Sequence, residues 1–183
     1  MKKLNAKQIL VPAMALFLIC LAVALLLSFT NELTKAPIEK QQKLAKENAM
    51  QSVCAEAVSF EEVLENEAYM GFDSKGNIIG YAIEVTVKGY GGDVKIMVGI
   101  SEDEEITGVE ILSHSETPGL GANCTNEKIR SMFEKPIPES GFKVNKDGGD
   151  IDAMTGATIT SRAVTNGVNE AIEIYYSVKG GEN

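Results

Sequence analysis

From Gln8 to Asn31 the chain carries no charged residue, and most of the run ILVPAMALFLICLAVALLLSF is apolar. A helix needs about 20 such residues to cross a bilayer, so residues 9–30 are expected to form a transmembrane helix. A cleaved signal peptide is the rival reading, but its apolar core is usually about 7–15 residues and ends at a small-residue site. Here the core is longer, and the exit LLLSFTNE has no Ala-x-Ala pattern. Ile19 rather than a small residue precedes Cys20, which argues against lipoprotein cleavage. The segment reads as a retained anchor. Lys2, Lys3 and Lys7 precede it, and no acid occurs before Glu32. Positive flanks stay cytoplasmic, so residues 1–8 are expected in the cytoplasm and the rest outside it. The expectation is a single-pass protein of the cell (inner) membrane.

Charge narrows the function of the exported part. With the three leading lysines set aside, 14 basic residues face 26 acidic ones, a net charge of −12. Nucleic-acid binding needs a basic face to meet phosphates, so no nucleic-acid partner is expected. Cys54 and Cys124 could pair in an oxidising compartment, though nothing in the sequence brings them together. There is no CxxC and only one histidine, His114, so no metal site is expected.

Residues 31–58 read as a mainly polar linker helix, with Pro37 near its first turn, where proline is tolerated. The period then changes to two. Tyr81, Ile83, Val85 and Val87 alternate with Ala82, Glu84, Thr86 and Lys88, and Val94, Ile96, Val98 and Ile100 repeat the pattern. Such alternation predicts strands with one buried face. The glycine-bearing turns DSKGN and KGYGGD make them hairpins of an antiparallel sheet, and VEIL adds another strand after SEDEEITG. A helix is expected around TNEKIRSMFE, and KPIPESGFKVNKDGGD reads as a loop holding at most a short strand. Val164, Val168, Ala171, Ile172 and Tyr175 form the apolar stripe of a final helix. Residues 59–183 are therefore expected to be one α+β domain with an antiparallel sheet and flanking helices.

The stretch DAMTGATITS, Asp152 to Ser161, packs four hydroxyls in front of that last helix. Thr160 or Ser161 suits its N-cap. That leaves Thr155 and Thr158, flanking the small pair Gly156–Ala157, without a structural role. Free amides, hydroxyls and a helix N-terminus together suit an anion, above all phosphate. A capped strand-to-helix turn remains the alternative reading. A nucleophilic Thr158 or Ser161 would need a base within hydrogen-bond reach, and only His114, far off in sequence, is available.

The segment Asp152-Ala153-Met154-Thr155-Gly156-Ala157-Thr158 closely resembles the flavinylation motif Asp-x-x-Ser/Thr-Gly-Ala-Thr of the FMN-binding domain family. The resemblance implies that a flavin transferase joins FMN, donated from FAD, to Thr158 through a phosphoester. Thr155, Gly156 and Ala157 would then line the phosphate end, and Asp152 would serve in recognition. HSETPGLGA, His114 to Ala122, is similar to the family's Glu-Thr-Pro-Gly-Leu-Gly signature; it implies flavin contacts from Glu116, Thr117 and Leu120. A type II turn at Pro118–Gly119 is compatible with that role. GYGG, Tyr90 to Gly92 with Gly89, resembles a family sheet motif, and Lys143 in GFKVN is a further implied FMN partner.

The layout is similar to the G subunits of Rnf electron-transport complexes, with the homologous C subunits of the sodium-translocating NADH:quinone reductase as the alternative. That resemblance implies an electron-transfer subunit of an ion-translocating ferredoxin:NAD oxidoreductase. Its ferredoxin and NAD sites would lie on other membrane and peripheral subunits. No catalytic residue is expected on this chain, because flavin carries the chemistry and protein tunes it. Two other readings stay open: a freestanding membrane-anchored flavoprotein, and a non-redox scaffold that keeps the fold without flavin.

Overall fold

The computed structural model describes residues 6–180, so Lys2 and Lys3 of the expected cytoplasmic end lie outside the described residues. Helix α1 runs without interruption from Ala6 to Val53. Its N-terminal part contains an 18-residue window of mean hydropathy 2.9 with none of it buried, long and apolar enough to cross a membrane. Large apolar side chains along it, Leu10, Phe17, Leu25 and Phe29 among them, are exposed. Soluble monomers rarely expose a contiguous apolar surface of this extent. Pro37 is not at a helix start as expected but inside α1. The helix tolerates it there at the cost of one backbone hydrogen bond, because the polar segment continues the apolar segment's helix instead of nucleating a new one.

The chain divides into two compact units, the second beginning at Ala45. That unit is built on a five-stranded antiparallel meander, in the order β1 (Ser59–Leu64), β2 (Ala68–Phe72), β3 (Ile78–Lys88), β4 (Asp93–Ser101) and β5 (Ile106–Ser113). The first two strands escaped the sequence reading. β1 is an almost wholly exposed edge strand without alternation, and the β1–β2 turn rests on Asn66 in the left-handed region at φ 60°. In β3 and β4 the expected alternation is real. Tyr81, Ile83, Val85 and Val87 pair with Ile100, Val98, Ile96 and Val94, all buried.

These side chains meet helix α3 (Thr158–Gly180), whose Val164, Val168, Ala171, Ile172 and Tyr175 are buried against them. Tyr81 and Tyr175 make an edge-to-face contact at 5.3 Å, a geometry favoured by the ring quadrupoles.

The expectation of a single buried face is corrected by the other side of the sheet. Ala82 and Met97 are also fully buried, under Ala49, Met50 and Val53 at the end of α1 and Cys54 and Ala57 just after it. Gly99 and Gly108 stand opposite each other in the β4–β5 ladder. A Cβ on Gly99 would collide with the Val53 carbonyl, and Thr107 Oγ1 donates a hydrogen bond to that same carbonyl. Missing side chains thus create the dimple that receives Val53.

The helix expected around TNEKIRSMFE is broken into a 3-10 turn at Gly121–Thr125, a one-turn helix α2 (Glu127–Arg130) and a second 3-10 turn at Ser131–Phe133. The Arg130 guanidinium donates to the carbonyls of Thr125 and Val109, and Phe133 is buried, so the segment is drawn onto the edge of β5. In the following loop the short strand reduces to isolated bridges, Pro136 antiparallel to Glu105 and Val144 parallel to Ile151.

Candidate cofactor site

Two glycine turns and a helix start build the site. In Thr117–Leu120, Leu120 N–H donates to the Thr117 carbonyl at 3.2 Å, and Gly119 has φ 76°. This is the expected type II turn, which requires a positive φ at its third residue. In Met154–Ala157 the same device recurs: Ala157 N–H donates to the Met154 carbonyl at 3.0 Å, and Gly156 has φ 75°. A Cβ on Gly156 would stand 3.0 Å from Leu120 Cδ2, so the two turns abut. They bring Leu120 beside the Thr155–Thr158 segment.

The second turn starts α3 at Thr158. Thr160 and Ser161 therefore lie inside the helix, and neither is the N-cap expected from the sequence. Both hydroxyls point inward. Ser161 Oγ accepts from Met154 N–H at 2.9 Å and donates to the Ala157 carbonyl at 3.0 Å. Thr160 Oγ1 donates to Glu116 Oε2 at 2.7 Å. The hydroxyls of Thr155, Thr158 and Thr117 make no hydrogen bond among the described residues. Nor do the amides of Thr158, Ile159 and Thr160 find an acceptor, as the first amides of a helix never do within it.

A cleft of about 430 Å³ opens over this helix start, lined by Tyr90, Glu116, Thr117, Leu120, Gly121 and residues 156–160. A wider hollow of about 610 Å³ adjoins it across Leu120 and is lined by Thr155, Met154, Gly119, Asn123 and Ile129, among others. Leu120, Ile159 and Tyr90 are 44%, 52% and 72% exposed, giving the cleft an apolar rim ready to cover a flat ring.

The structure thus brings together Thr158, Gly156, Ala157, Glu116, Thr117 and Leu120, with Thr155 next door. Asp152 and Lys143 line neither cavity. Asp152 is exposed and accepts a hydrogen bond from Asn145 Nδ2 at 2.9 Å. Lys143 is exposed on the segment bridged by Val144 and Ile151. Glu116 faces inward: it is 6% exposed and accepts from Gly91 N–H at 3.0 Å as well as from Thr160. His114 Nδ1 accepts from Glu116 N–H and lines neither cleft, so among the described residues no histidine stands beside the threonines as a base.

Sequence reasoning missed Ile159 and the inward role of Thr160. Ile159 did carry a signal, as an apolar residue off the buried stripe of α3.

The donor set fits an FMN. Free helix amides and three unbonded hydroxyls suit the phosphate end. The cavity falls within the size range of small-molecule sites, about 300–1,000 Å³, and its rim is apolar. Residues 89–173 match the FMN-binding domain family, and residues 1–53 match the RnfG N-terminal region. The chain is 34% identical over 188 residues to the G subunit of an ion-translocating oxidoreductase complex from Methanosarcina acetivorans, covering 97% of this chain and 99% of that one. It is 35% identical to the G subunit of the Na(+)-translocating ferredoxin:NAD(+) oxidoreductase complex from Acetobacterium woodii, with 89% of each covered. Among solved structures, Shewanella oneidensis NqrC aligns with a TM-score of 0.47 at 21% identity, over 69% of this chain and 68% of that one. Sequence, cleft and matched regions together show that the chain belongs to the family of G subunits of ion-translocating oxidoreductase complexes.

Proposed function

We propose that this chain is a membrane-anchored electron relay that carries FMN esterified through its phosphate to Thr158, within an ion-translocating ferredoxin:NAD oxidoreductase complex. One observation carries the covalent reading. Thr158 opens the 23-residue helix α3 with its hydroxyl and amide both unbonded, facing the cleft inside the region matching the FMN-binding domain. Bound FMN supplies the electron-carrying chemistry.

The chain supplies the rest. The amides of residues 158–160 and the positive end of α3 favour the phosphate. Leu120, Ile159 and Tyr90 would keep water from the ring. Thr117 and Thr155 offer hydroxyls at either side of Leu120. Among the described residues no side chain is placed to deprotonate Thr158, because Glu116, the one acid among those lining the cleft, is already bonded through both oxygens. This supports activation by a separate flavin transferase, for which the exposed Asp152 is available as a recognition point. Lys143 would reach the cofactor only from outside the cleft.

The positive flank at Lys2, Lys3 and Lys7 supports a cytoplasmic N-terminus and an extracytoplasmic flavin domain. There a covalent link keeps the cofactor from being lost. The relatives' names support other subunits of such a complex as partners.

The test is the intact mass of the full chain purified from its native host, beside a Thr158→Ala variant. A gain of one FMN phosphoester with yellow colour, both lost in the variant, is the expected result. An unmodified mass in a transferase-competent host would end the covalent reading.

A further inference from the structure

We propose that Glu116 is a positioning residue: its buried carboxylate ties the Tyr90 hairpin to the first turn of α3 and so sets the width of the cleft over Thr158. The inference rests on the flavin reading above only for its consequence, not for its geometry.

Three chain segments meet on this one side chain. Oε1 accepts from Gly91 N–H in the β3–β4 hairpin, and Oε2 accepts from the Thr160 hydroxyl in α3. Its own amide is fixed by His114 Nδ1 at 3.2 Å. Glycines make room for it on both sides: a Cβ on Gly89 or on Gly121 would collide with its carboxylate oxygens. Gly91 likewise lies against the Ser115 carbonyl, where a Cβ could not fit. Three glycines therefore seat one carboxylate and its neighbouring backbone, although a carboxylate buried without a cation is costly. Among the described residues no lysine or arginine forms an ion pair with Glu116. Its hydrogen bonds are charge-assisted, and the N-terminal end of α3 lies beside it.

The consequence is local. Tyr90 is the most exposed of the three rim residues and sits on a glycine-rich turn with little packing of its own. Without the Gly91 bond, the turn keeps the Gly89 N–H to Gly92 carbonyl bond at 2.8 Å, the exposed Lys88–Asp93 ion pair at its base and its contact with Ser115. Glu116, itself part of the cleft lining, sets the positions of Tyr90 and of the first turn of α3 through Gly91 and Thr160.

The test uses the full chain in detergent, made without flavin transferase and, separately, in a competent host. Glu116→Ala, Glu116→Gln and Thr160→Val are compared by amide exchange at residues 89–92, thermal unfolding and flavin loading by intact mass. Glu116→Ala is expected to speed exchange of the Gly91 amide at least about tenfold while strands β3 and β4 stay protected, and to reduce loading several-fold. Glu116→Gln keeps an acceptor for Gly91 and is expected to restore most of both. Thr160→Val removes one hydroxyl at nearly constant volume, so it tests the α3 end even if the alanine variant does not fold. Gly91 exchange unchanged in Glu116→Ala, or no rescue by Glu116→Gln, would overturn the proposal. Because the exchange arm needs no cofactor, a wild-type chain that takes up no flavin would sink the flavin reading and leave this one standing or falling by itself.

Discussion

The two faces of the sheet are covered by different means. On the α3 face, large side chains interlock: Tyr81, Ile83, Val98 and Ile100 meet Val164, Val168 and Tyr175. On the α1 face, the backbones themselves come close, because Gly99 and Gly108 leave a gap that Val53 occupies. The first face is held by volume, the second by proximity. The difference shows that one sheet can present a broad core to the helix at the site, and a narrow, shape-limited seat to the last turns of α1.

The largest effect is expected from breaking the volume-filled face. Tyr175→Ala should cost about 3–5 kcal/mol, in line with other large aromatic truncations. It removes the ring against Tyr81 and the hydroxyl that bonds the Ser101 carbonyl at 3.3 Å. Chemical unfolding of the full chain measures it; a cost below about 1 kcal/mol would mean that this face is not the main store of stability.

Next comes the proximity-held face. Gly99→Val should cost about 1–3 kcal/mol or more, since overpacking a tight contact is costly. It should lift the end of α1 from the sheet, read as faster exchange of amides 50–54. If Gly99→Val cost less than Gly99→Ala, space would not be what limits this face.

A smaller loss, about 1–2 kcal/mol, is expected for Gly156→Ala, which forces a Cβ into the left-handed region and toward Leu120. The effect should concentrate on flavin loading, because the turn it strains sits at the site and not in either core.

The two faces also each bury a thiol. Burial pushes Cys54 up to about 12, against a small opposing effect of Thr107. It also raises Cys124, with the Glu116 charge adding to the rise. Both should resist alkylation at about pH 8 in the native chain and react once it is unfolded. A thiol whose folded pKa lies above its unfolded value, about 8.5, gives stability that is complete below that value and is lost as pH climbs toward the folded one. Stability should therefore decline from about pH 8.5 upward, less so in Cys54→Ala. Smallest of all, Arg162→Ala should leave unfolding unchanged within error. Its ion pair with Asp147, which holds that carboxyl below its usual range, is exposed to solvent.

The faces were unequally legible in the sequence. The α3 face announced itself through period: Tyr81, Ile83, Val85 and Val87 in twos, Val164, Val168 and Tyr175 in helical steps. The α1 face had no such signal, because Gly99 and Gly108 work by lacking side chains, and hydrophobic patterns do not register an absence. β1 was invisible for a related reason, being exposed on both sides.

In the site, the motif letters marked Thr158, Leu120 and Thr117, and the structure brings all three to one cleft. They did not say which hydroxyl faces outward. Thr158 and Thr160 look alike in sequence, yet one is unbonded and the other is held by Glu116, 44 residues away.

The sequence by itself determined the long apolar span, the strand and helix periods and the turn at Pro118–Gly119, since each depends on neighbours a few residues apart. Only the tertiary structure decided that Glu116 turns inward, that Thr160 and Ser161 are not caps, and that Asp152 and Lys143 stand outside the cleft. Those outcomes depend on contacts between segments far apart in the chain, where burial and hydrogen-bond satisfaction are settled by what arrives opposite and not by what is adjacent.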